Sequence, residues 1–333
     1  MRIAINGFGR IGRSFFRLAF QAPGLEVVAI NDLGELENLA YLLRRDTVYG
    51  LYEKPVEVRN NQLVVDSHNI FVYAEKDPAK LPWQDLNIDV VVESSGAFTS
   101  YEKARPHLDA GAKRVVITAP ADSQVPHVLP GSNNDKLSHD LNRITSDASC
   151  TTNAAVPVLN ILQVNPGIRK AMLNTAHGYT ATQGLVDGPA KDFLHGRAAA
   201  QNIVPAHTGA ADAVIFSQPW LKDIFEAVAL RVPVITGSLA DLTFIASRRT
   251  SAEEINNILR KAAQESKWQG IFTISEEPLV SSDIIKNPHA SIADLTHTKV
   301  VGGDMVKVLA WYDNEWGYCN SLLKHVLNLK DLL

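Results

Sequence analysis

Cys150 is the residue of this chain whose surroundings favour covalent chemistry most strongly. The flanking residues 149–153 are polar, and the alanine, valine and leucine residues that follow recur at helical spacing. We therefore expect Cys150 at or near the start of a helix, where the positive end of the helix favours the nucleophilic thiolate over the thiol. Cysteine is more often a small, inert core residue, and we favour that interpretation for Cys319 in the C-terminal segment.

A nucleophilic thiol needs a base or a cationic partner, and His177 stands out among the ten histidines of the chain. It follows a short predicted strand and precedes a run rich in hydroxyl groups, residues 179–182. Sequence spacing does not show whether His177 meets Cys150, and a histidine at a strand end is more often structural. Both interpretations stay open on the sequence alone.

Gly7, Gly9 and Gly12 form a Gly-x-Gly-x-x-Gly motif between a predicted strand and a predicted helix. In this motif the first glycine makes a tight turn, the second lets the backbone approach a pyrophosphate, and the third lets helix and strand pack closely. Asp32 ends the second predicted strand, where a carboxylate accepts hydrogen bonds from a ribose and repels a 2′-phosphate. The alternative is a glycine-rich turn beside an ordinary surface aspartate. The combined pattern favours an NAD site.

Strands and helices alternate in the first half of the chain. Apolar runs predict strands at 2–6, 27–30, 89–93 and 113–118, and helical spacing predicts helices at 10–20 and 101–110. Residues 53–75 have the pattern of an antiparallel insertion that turns at Asn60-Asn61. Continuous apolar strands that alternate with helices are typical of a parallel sheet covered on both faces. We predict an α/β fold with a Rossmann-type, doubly wound parallel sheet.

The second half has a different pattern. Strands are predicted at 227–234, 239–247 and 306–312, an amphipathic helix at 252–266 and a C-terminal helix at 317–329. This mixture predicts an α+β catalytic domain with one open sheet. We expect an NAD-binding domain at 1–149, a catalytic domain at 150–314, and a helix in residues 315–333 that returns to the first domain.

Composition excludes several classes of protein. The chain has 333 residues, 46% hydrophobic and 20% charged, as in ordinary globular enzymes. A formal net charge of -4 and the lack of a basic cluster argue against a nucleic-acid partner, and no apolar stretch is long enough for a membrane span. Two cysteines are too few for a disulfide framework, and no metal site is expected. The N-terminal segment lacks the apolar core of a signal peptide, so we expect a cytoplasmic protein.

Several segments together resemble the phosphorylating glyceraldehyde-3-phosphate dehydrogenases, in order and with similar spacing along the whole chain. They are residues 6–13, 31–33, 149–153, 177–183, 197–205, 208–210, 231–233 and 311–318. The resemblance implies that Cys150 attacks the aldehyde of D-glyceraldehyde 3-phosphate and that His177 is the general base as hydride leaves for NAD. Inorganic phosphate then attacks the thioester to give 1,3-bisphosphoglycerate, a reaction of glycolysis and gluconeogenesis.

The resemblance also implies two phosphate sites, a cofactor site and an assembly. The substrate phosphate is expected at Thr180, Thr182 and Arg231, and the attacking phosphate at Ser149, Thr151, Thr208 and Gly209. Around NAD we expect the N–H groups of Arg10 and Ile11, with Asp32, Lys76, Thr118, Asn314 and Tyr318. Structural alternatives are an ion pair for Arg231, a helix cap for Thr208 and a core aromatic for Tyr318. The family also implies a homotetramer.

The sequence departs from the family at a few positions. Lys76 stands where many relatives have arginine, His195 where some have a phosphate-binding arginine, and Ala154 where a second cysteine is common. None of these residues is needed for the thiol chemistry. Two other functions are possible on the same scaffold: an erythrose-4-phosphate dehydrogenase that hydrolyses its thioester, and a catalytically idle binding protein. The hydroxyl-rich phosphate segments argue against the first, and the intact thiol and histidine argue against the second.

Overall fold

The computed structural model describes residues 1–137, 142–206 and 209–333. The predicted phosphate ligand Thr208 lies outside these described residues. The chain divides into two compact units, which are residues 1–148 with 322–333, and residues 149–321. Among the described residues, no helix is both long enough and apolar enough to cross a bilayer.

The first unit is built around an eight-stranded sheet. Its strands and the short pair β3–β4 are β1 (Arg2–Asn6), β2 (Glu26–Asn31), β3 (Arg45–Asp46), β4 (Gly50–Leu51), β5 (Val56–Arg59), β6 (Gln62–Val65), β7 (His68–Tyr73), β8 (Val90–Glu93), β9 (Arg114–Ile117) and β10 (Ile144–Ser146). Its helices are α1 (Arg10–Ala19), α2 (Leu36–Arg44), α3 (Tyr101–Ala104) and α4 (Pro106–Asp109). The strand order is β10-β9-β8-β1-β2-β7-β6-β5, and the pairs from β10 to β7 are parallel. The predicted Rossmann-type sheet is confirmed.

Burial explains why the central strands are continuously apolar. Every residue of β8 and β9 is buried, and four of the five residues of β1 are buried. Strands covered on both faces have no side chain that must face water, so their sequences do not alternate. Because the strands are parallel, their carboxyl ends lie at the same edge of the sheet, where ligands bind in such folds.

The insertion and one helix show how local residues set the boundaries. Asn60 and Asn61, between β5 and β6, have φ angles of 50° and 59°, the left-handed conformation that a two-residue hairpin turn requires. The antiparallel insertion is therefore confirmed.

The helix predicted at 101–110 is instead divided into α3 and α4 at Arg105. Pro106 has no N–H to continue the hydrogen-bond ladder of the first turn, which accounts for the division.

The second unit is a seven-stranded sheet with helices. Its elements are α5 (Cys150–Val164), β11 (Ile168–Gly178), β12 (Val204–Ala206), α6 (Ala210–Ser217), β13 (Phe225–Val232), β14 (Ser238–Ala246), α7 (Ala252–Ala262), β15 (Phe272–Ser275), β16 (Ser291–Val301), β17 (Met305–Tyr312) and α8 (Trp316–Asn328), whose last residues belong to the first unit. The order is β12-β13-β11-β14-β17-β16-β15. Residues of β14 alternate between buried and half-buried, as expected of a sheet with one covered face. The predicted open sheet is confirmed.

Candidate active site

Cys150 is the first residue of α5, as its polar surroundings predicted. Ser149 caps this helix, because its Oγ accepts the backbone N–H of Thr152 at 3.1 Å. Capping by a serine fixes the direction of the first turn and leaves the N–H groups of that turn pointing towards the thiol end of the helix. The polar segment at residues 149–153 is therefore the start of a helix.

His177 meets Cys150, which answers the question that sequence spacing left open. It is the penultimate residue of β11, and its Nε2 lies 3.2 Å from the Cys150 Sγ. The strand and α5 therefore bring together two residues 27 positions apart in the chain. A thiol and an imidazole at hydrogen-bond distance form the nucleophile–base pair that acyl-transfer enzymes use.

The other ring nitrogen of His177 has two neighbours of opposite character. Nδ1 lies 2.7 Å from the Gly178 carbonyl oxygen, which can only accept, and 2.5 Å from Arg231 Nη1, which can only donate. With a proton on Nδ1 the ring donates to Gly178 and presents the Nε2 lone pair to Cys150 as a base. With the proton on Nε2 instead, Nδ1 accepts a hydrogen bond from Arg231 and Nε2–H is a donor. The surroundings of His177 are thus compatible with both positions of its ring proton. His177 needs the first to act as a base and the second to act as a hydrogen-bond donor.

Burial adds an effect on the pKa values of the pair that the sequence does not show. Burial raises the pKa of the Cys150 thiol to about 11, although Arg231, the Thr151 hydroxyl and the N–H groups at the start of α5 lower it. Burial and then the Arg231 charge lower the pKa of His177 to about 3. The helix start acts in the predicted direction, but desolvation of the thiolate has the larger effect. The resting pair is therefore a neutral thiol and a neutral imidazole, and attack needs a base.

Arg231 lies beside His177 because of strand register. It belongs to β13, which runs parallel to β11, and the two residues are partners in that pairing. Its Nε is buried without a hydrogen-bond partner among the described residues, so the structural alternative of a satisfied ion pair does not hold for that atom. A guanidinium with an unsatisfied donor beside a thiol is suited to a phosphate oxygen.

Three of the predicted phosphate ligands, Thr180, Thr182 and Gly209, have surroundings compatible with an anion. Thr180 and Thr182 follow β11, and their hydroxyl oxygens lie 2.9 Å apart. Gly209 is the N-cap of α6, and a Cβ at this position would meet nothing within 4 Å. Paired hydroxyls and the start of an eight-residue helix are both compatible with anion binding.

Thr151 and the previously unassigned Tyr312 belong to one buried hydroxyl cluster. The Tyr312 hydroxyl lies 2.9 Å from that of Thr151 and 2.8 Å from that of Thr175. The Tyr312 ring packs edge-on against His177, with ring centroids 6.0 Å apart. Burial raises the pKa of Tyr312, so its phenol stays neutral. Tyr312 thus joins the hydroxyl cluster to the His177 ring, a contact that its place in the 311–318 segment did not reveal.

A cleft of about 400 Å³ in the first unit contains the glycine motif. It is lined by Asn6, Gly7, Gly9, Asn31, Asp32, Leu33, Glu75, Lys76, Ser94, Ser95, Ala97 and Phe98. Four predicted cofactor residues are among these: Gly7, Gly9, Asp32 and Lys76. Arg10 and Ile11 are the first residues of α1, directly after Gly9, and Thr118 follows β9. The cleft lies at the carboxyl ends of β1 and β2, where the fold places ligands.

The three glycines differ in what surrounds them. Gly7 has a φ of 92°, and a Cβ there would collide with the backbone of Ser95. A Cβ on Gly12 would collide with the carbonyl oxygen of Gly7, so helix α1 packs against the strand only because Gly12 has no side chain. At Gly9 a Cβ would meet nothing within 4 Å. The protein itself does not need glycine at position 9, which fits a site where a ligand approaches the backbone.

Asp32 is held rigidly at the edge of this cleft. Its Oδ2 accepts the Phe8 N–H at 2.6 Å and its Oδ1 accepts the Gly34 N–H at 2.8 Å. These two bonds tie the carboxylate to the glycine turn, so it is already oriented before a ligand arrives. A fixed carboxylate favours ribose hydroxyls and repels an additional phosphate at the same position.

The sequence pattern did not reveal a buried polar network around Glu93, which contacts two residues of the cleft lining. The Glu93 carboxylate accepts from Asn6 Nδ2 at 2.5 Å and from the Ser95 N–H and hydroxyl at 2.8 and 2.5 Å. His107 Nε2 lies 3.1 Å from the same carboxylate, and Trp83 Nε1 donates to His107 Nδ1 at 3.0 Å. Since the indole can only donate, His107 carries its proton on Nε2 and donates to Glu93. The network fixes Asn6 and Ser95, which line the cleft.

Asn314 and Tyr318 lie near the start of α8 in the second unit. Asn314 is buried, and its Oδ1 accepts from the hydroxyls of Thr236 at 3.1 Å and Ser238 at 2.8 Å. Tyr318 is buried within α8, which agrees with its alternative interpretation as a core aromatic. Ser238 begins β14 and Thr236 lies just before it. The sequence does not single them out, because isolated hydroxyl residues carry no distinctive pattern.

Comparison with known proteins agrees with this geometry. Residues 1–101 match the family model described as the glyceraldehyde 3-phosphate dehydrogenase NAD binding domain, and residues 149–314 match the corresponding C-terminal domain. The chain is 47% identical to glyceraldehyde-3-phosphate dehydrogenase of Thermotoga maritima, with 97% of both chains covered. It is 46% identical to glyceraldehyde-3-phosphate dehydrogenase 1 of Bacillus subtilis over 97% of this chain and 96% of the relative. The chain therefore belongs to the glyceraldehyde-3-phosphate dehydrogenase family and uses NAD.

Proposed function

We propose that the protein oxidises D-glyceraldehyde 3-phosphate with NAD and inorganic phosphate to 1,3-bisphosphoglycerate, through a thioester on Cys150. The observation that carries this proposal is the 3.2 Å approach of His177 Nε2 to the Cys150 Sγ at the start of α5. Relatives that share almost the full length of the chain are named for this dehydrogenase activity. The chemistry follows from the thiol, the base and the anion-binding groups around them.

The first half of the reaction forms the thioester. His177 Nε2 takes the thiol proton as Sγ bonds to the aldehyde carbon and returns it to the former aldehyde oxygen, and the resulting hemithioacetal hydroxyl is held by the Cys150 N–H and the His177 ring. His177 then takes the hydroxyl proton of the hemithioacetal, which leaves the thioester carbonyl. NAD, when bound, supplies the hydride acceptor for this oxidation. A neutral imidazole is required at both proton transfers, and the low pKa of His177 provides it.

The second half needs two anion subsites. We assign the substrate phosphate to Thr180, Thr182 and Arg231, and the attacking phosphate to Ser149, Thr151, Thr208 and Gly209. Support comes from the paired threonine hydroxyls, the unpartnered Arg231 Nε within the described part of the chain, and the start of α6 at Gly209. An oxygen of inorganic phosphate attacks the thioester carbonyl and the C–S bond breaks. The leaving sulfur takes the proton that His177 holds, which regenerates the thiol and the neutral imidazole.

We assign NAD binding to the residues that the sequence predicted for this role. They are Gly7, Gly9, Arg10, Ile11, Gly12, Asp32, Lys76, Thr118, Asn314 and Tyr318. Gly9 leaves space for the pyrophosphate, and Asp32 is oriented towards the cleft by its two N–H bonds. The lysine at position 76 lines the cleft and places a positive charge there, without the planar guanidinium of an arginine.

Omitting phosphate tests the proposal against its nearest alternative. With D-glyceraldehyde 3-phosphate, NAD and phosphate, we expect steady NADH formation. Without phosphate, we expect a burst of about one NADH per site followed by a rate at least tenfold lower, because the thioester accumulates. Stopped-flow absorbance at the NADH band measures both phases. Equal steady rates with and without phosphate would identify a hydrolytic enzyme, and erythrose 4-phosphate is the control substrate.

Asp32→Ala is expected to narrow the preference for NAD over NADP. Hydrogen bonds to a charged group contribute about 1.5–3 kcal/mol, so the KM for NAD should rise roughly tenfold or more while that for NADP rises less or falls. Initial rates with each cofactor measure the ratio. The matched control Asp32→Asn keeps an acceptor oxygen and removes only the charge, which separates hydrogen bonding from repulsion of the 2′-phosphate. An unchanged ratio in both variants would rule out the ribose role.

We also propose that the protein is a cytoplasmic homotetramer. Support comes from the sheet of the second unit, where Met172, Val228 and Met305 share one face and are 57%, 43% and 42% exposed. This face includes an apolar depression of about 950 Å³ lined partly by Met172, Phe216 and Met305. Exposed apolar side chains that share one sheet face favour association.

A further inference from the structure

Ser238 is a fully buried hydroxyl residue that makes two hydrogen bonds in the second unit. Its Oγ accepts the N–H of Gly178 at 3.1 Å and donates to Asn314 Oδ1 at 2.8 Å. It is the first residue of β14. Gly178 is the residue whose carbonyl faces His177 Nδ1. A single hydroxyl therefore joins the backbone next to the catalytic base to the amide of Asn314.

Thr236 adds a second contact to the same amide oxygen. Its hydroxyl lies 3.1 Å from Asn314 Oδ1 and 3.2 Å from Asp313 Oδ1, so one proton has two possible acceptors. Asp313 Oδ1 also accepts the N–H groups of Glu315 and Trp316, at 2.9 and 2.8 Å, which fixes the backbone on both sides of Asn314. The backbone on both sides of Asn314 is thus fixed. The remaining motion of this residue is a half-turn of its terminal amide group, which would exchange the positions of Oδ1 and Nδ2.

The two ends of an amide group are chemically opposite, so its orientation decides what it recognises. If the Asn314 amide turned over, its NH₂ group would face Ser238, and the Ser238 proton would lose the acceptor that it has in the described structure. Leaving a buried hydroxyl donor without an acceptor costs about 1–3 kcal/mol. We propose that Ser238 is a positioning residue that holds Asn314 with Oδ1 inward, so that Asn314 Nδ2 donates to the carboxamide oxygen of the nicotinamide.

This proposal rests on the proposed role of Asn314 in binding NAD and adds a specific chemical preference to it. The Asn314 Nδ2 group is a donor, so it can form a hydrogen bond with the carbonyl oxygen of the carboxamide but not with its NH₂ group. A cofactor that keeps the carbonyl but lacks the NH₂ should therefore bind nearly as well as NAD. The 3-acetylpyridine analogue of NAD has this structure, since a methyl group replaces the NH₂ group.

The first measurement uses the wild-type protein and needs no substitution. Isothermal titration calorimetry gives the Kd of NAD and of the 3-acetylpyridine analogue in the absence of substrate. We expect the two Kd values to agree within about threefold. A Kd for the analogue more than tenfold above that of NAD would overturn the proposal, because it would show that Asn314 accepts from the NH₂ group.

The second measurement uses Ser238→Ala with Ser238→Thr, which restores the hydroxyl, as its matched control. Without the Ser238 hydroxyl only Thr236 donates to the Asn314 oxygen, and Thr236 has Asp313 as an alternative acceptor. The Asn314 amide can then turn and accept from the NH₂ group of NAD, whereas the analogue offers no such donor. We expect the alanine variant to bind the analogue at least fivefold more weakly relative to NAD than wild type does. The threonine variant should return towards the wild-type ratio. A wild-type ratio in the alanine variant would refute the positioning role.

Asn314→Ala separates the failure of this inference from the failure of the underlying assignment. If Asn314→Ala binds both cofactors as tightly as wild type, the assignment of Asn314 to the nicotinamide is wrong. If it binds both more weakly while Ser238→Ala keeps the wild-type ratio, the assignment stands and only the role of Ser238 is wrong. Thermal unfolding midpoints of all variants verify that the proteins titrated are folded.

Discussion

Cys150→Ser is expected to lower the rate of NADH formation from D-glyceraldehyde 3-phosphate by at least about a thousandfold. Removing the nucleophile of a covalent enzyme typically removes most of its rate enhancement, and a serine hydroxyl is much harder to deprotonate than a thiol. The environment adds to this effect, since burial already raises the pKa of the Cys150 thiol to about 11. Stopped-flow absorbance measures the rate, and the Kd of NAD should stay within about twofold of the wild-type value.

The other cysteine provides the matched control for this experiment. Cys319 is buried in α8 and is not in a disulfide, so Cys319→Ala removes a thiol without touching the pair formed by Cys150 and His177. We expect this variant to retain most of the activity. Retention of even a tenth of the wild-type rate by Cys150→Ser would exclude the covalent role, whatever the control shows.

His177→Asn is expected to slow thioester formation by roughly 10²–10⁴-fold, the range of general acid–base catalysis. The asparagine amide can fill part of the space beside Cys150 but cannot take its proton. Because burial and Arg231 lower the pKa of His177 to about 3, the wild-type ring is the neutral base at pH 7, and its removal leaves a thiol of high pKa without a proton acceptor. Rapid-quench or stopped-flow measurement of the NADH burst reports this step directly.

Alkylation of Cys150 provides an independent measurement for the same variant. Iodoacetamide reacts with the thiolate, so its rate at neutral pH should also fall in His177→Asn, in the absence of substrate and cofactor. NAD affinity and the unfolding midpoint serve as controls for an intact fold. A burst rate and an alkylation rate that both equal those of wild type would show that His177 has no part in activating the thiol.

The sequence predicted most of the fold because the relevant signals are local. Continuous apolar strands, the glycine motif and Asn60-Asn61 each act through neighbouring residues, and the structure has them as predicted. The division of the 101–110 helix at Arg105 was missed, because helical spacing of apolar residues continues across Pro106. Its missing N–H interrupts the backbone ladder without changing the pattern of side chains.

The candidate site was only partly predictable, because it depends on which elements pack together. Cys150 and His177 were both singled out, but only α5 and β11 bring them within 3.2 Å. Glu93, Ser238 and Tyr312 look like ordinary strand residues, and their importance comes from partners distant in sequence. The two influences on the Cys150 thiol differ in the same way. The helix start that lowers its pKa is visible in sequence, whereas the burial that raises its pKa is not.

The position of His177 and Arg231 on neighbouring strands has a consequence for how this enzyme can be altered. The pair is fixed by the register of β11 and β13, while Thr180 and Thr182 belong to residues 179–203, which contain no helix or strand. Strand register tolerates changes in a connecting segment, because the ladder hydrogen bonds do not involve it. Exchanging residues 179–203 between family members should therefore graft new aldehyde preferences onto unchanged proton-transfer machinery, which makes this segment a natural unit for building chimaeric enzymes.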